Sequence, residues 1–200
     1  LMQAEAGYLS LTGEPGGPPS RMGLSIIDLM TGTTAAMGIL AAVIGARSSG
    51  RGRDIDVSLF DVALHNLAYV ATWYLNAGKS IGREPRSSHP SLTPSQLYQT
   101  QDGWIFIMCN KEKFWGVLAH CMGKPEWAED PRFKTFRDRL AHRELLTEEI
   151  DSVLKTQTTA VWMERFAGKV PAAPVYDVAQ ALETDFVAEQ ERLLELAHPT

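Results

Sequence analysis

From Thr31 to Ala46 the chain carries no charge, and nearly every residue is small or apolar. Such a stretch predicts a helix, and a helix that is apolar on every side must be buried. Its Gly and Ala content predicts close backbone approach to a neighbouring element. The purely apolar part, Ala35 to Ala46, is too short to cross a bilayer. The chain's 200 residues suffice for one or two packed domains.

Just before this stretch stands Asp28, a carboxylate within Gly23-Leu24-Ser25-Ile26-Ile27-Asp28-Leu29-Met30. An ionised carboxyl is costly to bury unless something compensates its charge. A helix N-terminus does so through its unbonded N–H groups and its dipole. Asp28 can then serve as an N-cap, a task that Thr31 could share. The same placement suits a carboxylate nucleophile. Local pattern leaves both roles open.

Residues 11 to 23, centred on Gly16-Gly17-Pro18-Pro19, read as a loop. The segment after Arg53 alternates like a strand over Ile55 to Phe60. Its apolar positions then continue at helical spacing, so one helix is expected from Asp56 or Val57 to Leu75. Gly78, Gly82, Pro85, Pro90 and Pro94 make 76–96 a linker. Beyond it, Gln96 to Thr100 and Trp104 to Cys109 predict a hairpin turned by Asp102-Gly103. Helices are expected over Lys113 to Met122, His142 to Lys155, Thr159 to Ala167 (capped by Thr159) and Asp177 to Leu182. Pro171 to Pro174 reads as a turn.

A net charge of −5 gives no reason to expect nucleic acid or an anionic membrane as a partner. Cys109 and Cys121 show no metal-like spacing, and no ligand cluster implies a metal. So few cysteines fit a reducing compartment: the cytoplasm, or a mitochondrion or peroxisome if the source is eukaryotic. No signal peptide opens the chain.

Several words together, in this order, resemble the family III CoA-transferases, the group that includes formyl-CoA, carnitine and succinyl-CoA-dependent enzymes. They are Tyr8-Leu9-Ser10-Leu11-Thr12-Gly13, Gly16-Gly17-Pro18-Pro19, Ser25-Ile26-Ile27-Asp28 and Gly38-Ile39-Leu40-Ala41-Ala42. Ser49-Gly50-Arg51-Gly52-Arg53 with Asp54-Ile55-Asp56-Val57-Ser58-Leu59 follows. Tyr98 to Gly103, Val170 to Val175 and His198-Pro199-Thr200 complete the set.

The resemblance implies an α/β fold: part of a Rossmann-like large domain over 1–75, the 76–96 linker, a small α/β domain over 97–190, and a return to the large domain from 191 to 200. Family members are roughly twice as long, so the chain reads as an internal piece of a longer protein. They form interlocked homodimers, which implies a large apolar interface involving the linker and the uncharged helix at 33–46. The implied activity moves CoA from an acyl-CoA donor to a carboxylic acid, with Asp28 as nucleophile and an aspartyl-CoA thioester as intermediate. CoA is then substrate, and no permanently bound cofactor is implied. Arg51 and Arg53 are candidates for CoA phosphates, since guanidinium groups suit phosphate, or they simply solvate a turn. His89 either orients the acceptor acid or is a plain loop histidine. The alternatives are an α-methylacyl-CoA racemase, which needs a His/Asp pair to move a proton, and a non-catalytic dimerisation piece.

Overall fold

The computed structural model describes residues 1–197, so the closing word His198-Pro199-Thr200 lies outside the described residues. The chain divides into two compact units, Leu1–Pro90 and Ser91–Thr200. Together they mix helices with a small sheet, an α/β composition.

In the first unit, α1 (Met2–Glu5) leads into a 3-10 turn at Tyr8–Ser10. The Gly/Pro loop that follows is pinned from a distance. Arg83 donates to the carbonyls of Gly17 and Pro18, and the Glu14 carboxylate accepts from the Arg86 N–H at 2.8 Å. Helix α2 (Ile26–Ser49) is longer than its uncharged stretch, because Ile26 to Met30 are helical too. It ends where Gly50 takes up φ 69°, a left-handed value that glycine adopts without strain.

The chain then returns along α2 through residues 51–58. A methyl group at Gly38 would sit 3.0 Å from Ile55 Cγ2, so the close approach expected of this helix occurs there. The expected burial does not. Only Ile27 of α2 is buried, and Leu29, Met37, Ile39, Leu40, Val43 and Ile44 are exposed. Nor does the length argument against a membrane span hold. At 24 residues, with a mean hydropathy of 1.7 over its most apolar 18, α2 is long and apolar enough to cross a bilayer. A core helix whose covering surface lies elsewhere meets the same description.

Ser58 caps α3 (Leu59–Asn66) by accepting from the Asp61 N–H at 3.0 Å. The helix thus starts two or three residues after the position that apolar spacing favoured. It is also not continuous. At Ala68 the backbone takes φ 47°, and α4 (Ala68–Ala77) sets off on a new course.

The second unit is built on a three-stranded antiparallel sheet of order β1-β2-β3. β1 (Ser95–Gln99) and β2 (Trp104–Met108) are the expected hairpin. Strand alternation sends Ile105, Ile107 and, just beyond, Cys109 into the core while Trp104 and Met108 face out. Helix α5 (Glu112–Cys121) adds Trp115, Leu118 and Ala119. A short helix, α6 (Phe136–Ala141), carries the buried Arg139. Helix α7 (Arg143–Leu154) adds Leu146, Ile150 and Leu154, one face at a spacing of four. Helix α8 (Thr159–Phe166) adds Trp162 and Phe166. Its cap is Thr158, whose hydroxyl accepts from the Val161 N–H, and not Thr159. Ala172–Pro174 is strand β3 and not a turn; Ala173 pairs with Phe106. Helices α9 (Val178–Leu182) and α10 (Asp185–Glu189) follow, α9 closed by an Asp177–Gln180 capping box.

Candidate active site

Asp28 is the third residue of α2, which makes it a first-turn residue and not the N-cap. Ser25 holds the cap position, with its hydroxyl making no capping bond. Thr31 does not cap either, because its hydroxyl donates back to the Ile27 carbonyl at 2.8 Å. The direction of Asp28 is set by its neighbour. Ile27 is buried with Ala6 and Ala63, and successive helix residues point about 100° apart. Anchoring Ile27 therefore turns Asp28 outward.

It faces a cleft of about 430 Å³ whose walls include Gln3, Leu9, Arg21, Ser25 and Leu59. Asp28 is exposed there, and its side chain has no hydrogen-bond or ion-pair partner among the described residues. The burial cost foreseen for it does not arise within this chain. What the chain does supply is the start of α2, whose unbonded N–H groups lie on the same turn as the carboxylate. A solvent-accessible carboxylate with no counter-ion to hold it is free to attack an electrophile.

Two contacts fix the approach to this helix. The Gln3 amide donates to the Leu24 carbonyl at 3.0 Å and accepts from the Met22 N–H at 2.9 Å. Segment 22–24 is thereby clamped to α1, and it carries Arg21 to the cleft wall. On the far side of the small core, the Tyr8 hydroxyl donates to the Ala63 carbonyl at 2.9 Å, tying the 3-10 turn to α3. Burial pushes the Tyr8 phenol above its ordinary value, so it stays neutral.

The other expected site residues do not join Asp28. Arg51 and Arg53 are exposed beyond the opposite end of α2. At 1.5 Å per residue, the helix alone separates Asp28 from that end by roughly 30 Å. His89 is half-buried, its ring stacked on Tyr69 at 5.8 Å. It belongs beside a separate hollow of about 260 Å³ lined by Thr12, Gly13, Ser88 and Pro90, and it does not line the Asp28 cleft. Sequence reasoning missed Gln3 and Arg21 altogether. Among the described residues, no group of three or more His, Cys, Asp and Glu side chains converges to hold a metal.

Known proteins match this chain over almost its whole length. It is 34% identical over 197 residues to the acetyl-CoA:oxalate CoA-transferase of Acetobacter aceti, covering 97% of this chain and 50% of that protein. It is 30% identical over 199 residues to the succinyl-CoA:mesaconate CoA-transferase of Haloarcula hispanica, covering 100% of this chain and 50% of that one. The crystal structure of Rv3272 from M. tuberculosis superposes with a TM-score of 0.85 at 27% identity, over 98% of this chain and 51% of the other. The chain thus spans about half the length of the relatives it matches. The sequence pattern of CoA-transferase family III fits residues 1–200, and the chain belongs to that family.

Proposed function

We propose that the intact protein carrying this chain moves CoA from an acyl-CoA donor to a carboxylic acid, with Asp28 as the nucleophile. The observation that carries this reading is the exposed, unpaired Asp28 carboxylate at the head of α2, facing a cleft of substrate size. Family membership and the names of the relatives support it. Oxalate and mesaconate, named for two of them, are both diacids, so the acceptor class we favour is a short dicarboxylic acid.

The chemistry needs no net proton transfer. An Asp28 oxygen attacks the donor thioester carbon, the carbon–sulfur bond breaks, and a mixed anhydride forms with release of CoA thiolate. The thiolate attacks Cγ of Asp28 and expels the donor carboxylate, leaving an aspartyl-CoA thioester. The acceptor carboxylate then attacks the same Cγ, expelling the thiolate and forming a second anhydride. Thiolate attack on the acceptor acyl carbon gives the new acyl-CoA and restores Asp28. A carboxylate suits this relay because both its anhydride and its thioester stay reactive.

The same reading has the intact protein assembling as an interlocked homodimer, in which the exposed apolar side chains of α2 are covered. The test is peptide mass mapping of the intact protein after incubation with a panel of acyl-CoA donors. A CoA or acyl adduct on Asp28, absent in Asp28→Ala together with turnover, is the expected result. Near-normal turnover in Asp28→Ala removes Asp28 as nucleophile. Exchange of an α-proton with solvent and no adduct points to a racemase instead.

A further inference from the structure

We infer that Arg21 is the specificity-determining residue of this cleft, binding the carboxylate of a short diacid that does not react. The inference rests on Asp28 being the nucleophile. Arg21 is the only side-chain cation among the residues lining the cleft, which Asp28 shares with it. A guanidinium carries five N–H donors in a planar fork matched to carboxylate. Among the described residues Arg21 spends one of them, on the Met22 carbonyl at 3.3 Å, and has no acidic partner. The Gln3 clamp on Met22 and Leu24 holds the adjoining backbone, so the group is delivered to the wall by a fixed segment. Its charge opposes the repulsion that a dianionic acid meets on approaching a carboxylate.

Which carboxylate it holds follows from the chemistry. The reacting carboxylate becomes an anhydride and then a thioester, and a cation bound to it would lose its partner during the reaction. The second carboxylate keeps its charge in every state. A cation bound there selects the diacid equally in ground and transition states, which lowers KM and leaves kcat alone.

The experiment uses the intact protein with the acyl-CoA donor that best labels Asp28, held at saturation. The acceptors are the best-accepted member of a series of short diacids and its monomethyl ester, which keeps the length but has one charge. A charged hydrogen bond of this kind sets the scale of the effect. In Arg21→Ala we expect KM for the diacid to rise about tenfold or more. KM for the ester, kcat and the yield of Asp28 adduct should stay as they were, and Arg21→Lys should recover part of the loss. An equal rise for both acceptors, an unchanged preference, loss of the adduct, or an unsubstituted protein that accepts no diacid would each overturn the assignment. If the unsubstituted protein forms no Asp28 adduct, it is the nucleophile reading that fails, and that result is visible before any Arg21 variant is made.

Discussion

Arg139 shows how much a single charged residue can organise. Its side chain is completely buried in the second unit. The guanidinium donates to the carbonyls of Thr93, Phe133 and Lys134 and pairs with Glu112 at 2.6 Å. It also lies over the rings of Trp115 and Phe136. One residue thus joins α5, α6, the loop before α6 and the approach to β1. Removing one partner of a buried charge network is far more costly than never having built it. Arg139→Ala should lower stability by about 3 kcal/mol or more, measured as the urea midpoint of tryptophan fluorescence. Arg139→Met, which refills the volume, should recover part of that. A loss under about 1 kcal/mol for the alanine variant would mean that the network is not energetically coupled. Nothing in the sequence singled out Arg139 or Gln3, whose partners include Thr93, Glu112, Met22 and Leu24, all distant along the chain, nor Arg21, which shares the Asp28 cleft only once the chain is folded. Asp28 stood out because its signal is local: one carboxylate at the head of an uncharged, helix-forming run. That Asp28 is a first-turn residue and not the cap was not legible locally, because it depends on where the helix starts.

At the scale of elements, the turn of the β1–β2 hairpin is locked onto the start of α8. Asp102 accepts from the Thr159 N–H at 2.8 Å and from its hydroxyl at 2.9 Å, and Thr100 and Thr159 share a further hydrogen bond at 2.7 Å. The backbone and then the hydroxyl bond of Thr159 hold the Asp102 carboxyl below its ordinary 3.8. A folded-state value below the unfolded one contributes stability that is complete above the unfolded value and is lost as pH falls through the folded one. Asp102→Asn cannot ionise. Wild type should therefore exceed it in unfolding midpoint near neutral pH, with the gap closing below about pH 4. A gap that persists unchanged in acid would mean that the carboxylate charge contributes nothing. This hairpin was legible because strand alternation and Asp102-Gly103 are strong local signals. β3 was not, because Pro171 and Pro174 argue against a strand. Position in the sheet resolves the conflict, since β3 is an edge and needs fewer of its backbone donors. The break at Ala68 carries neither Gly nor Pro, so apolar spacing ran straight through it. Helix α6 was overlooked although Thr135 and Asp138 form a capping box that the sequence displays.

At the scale of the whole molecule, α2 is the surface that most needs a partner, since only Ile27 of it is buried. Met37, Leu40 and Ile44 fall three and four residues apart on one face, with Leu40 63% and Ile44 69% exposed. Stable proteins rarely leave a contiguous apolar stripe of this kind open. So large an exposed apolar stripe is what a covering surface outside these residues would bury. The proposed homodimer makes that surface intermolecular in part, and this can be tested without disturbing Asp28, which lies at the head of the helix and three turns from Leu40. Sedimentation of the intact protein should give a dimer at ~1 μM, a concentration at which an interface of ordinary affinity is formed. Leu40→Glu with Ile44→Glu puts two charges on the stripe, and desolvating them opposes any apolar contact. The double variant should shift toward monomer while the second unit, monitored through Trp162 in its own core, keeps its unfolding midpoint. A monomeric unsubstituted protein sinks the homodimer. So does a dimer indifferent to both charges, which would place the subunit interface elsewhere and leave α2 to be covered within a single chain. Recovery of the intact protein in the membrane fraction would assign the stripe to lipid and end the argument for a protein partner on this face.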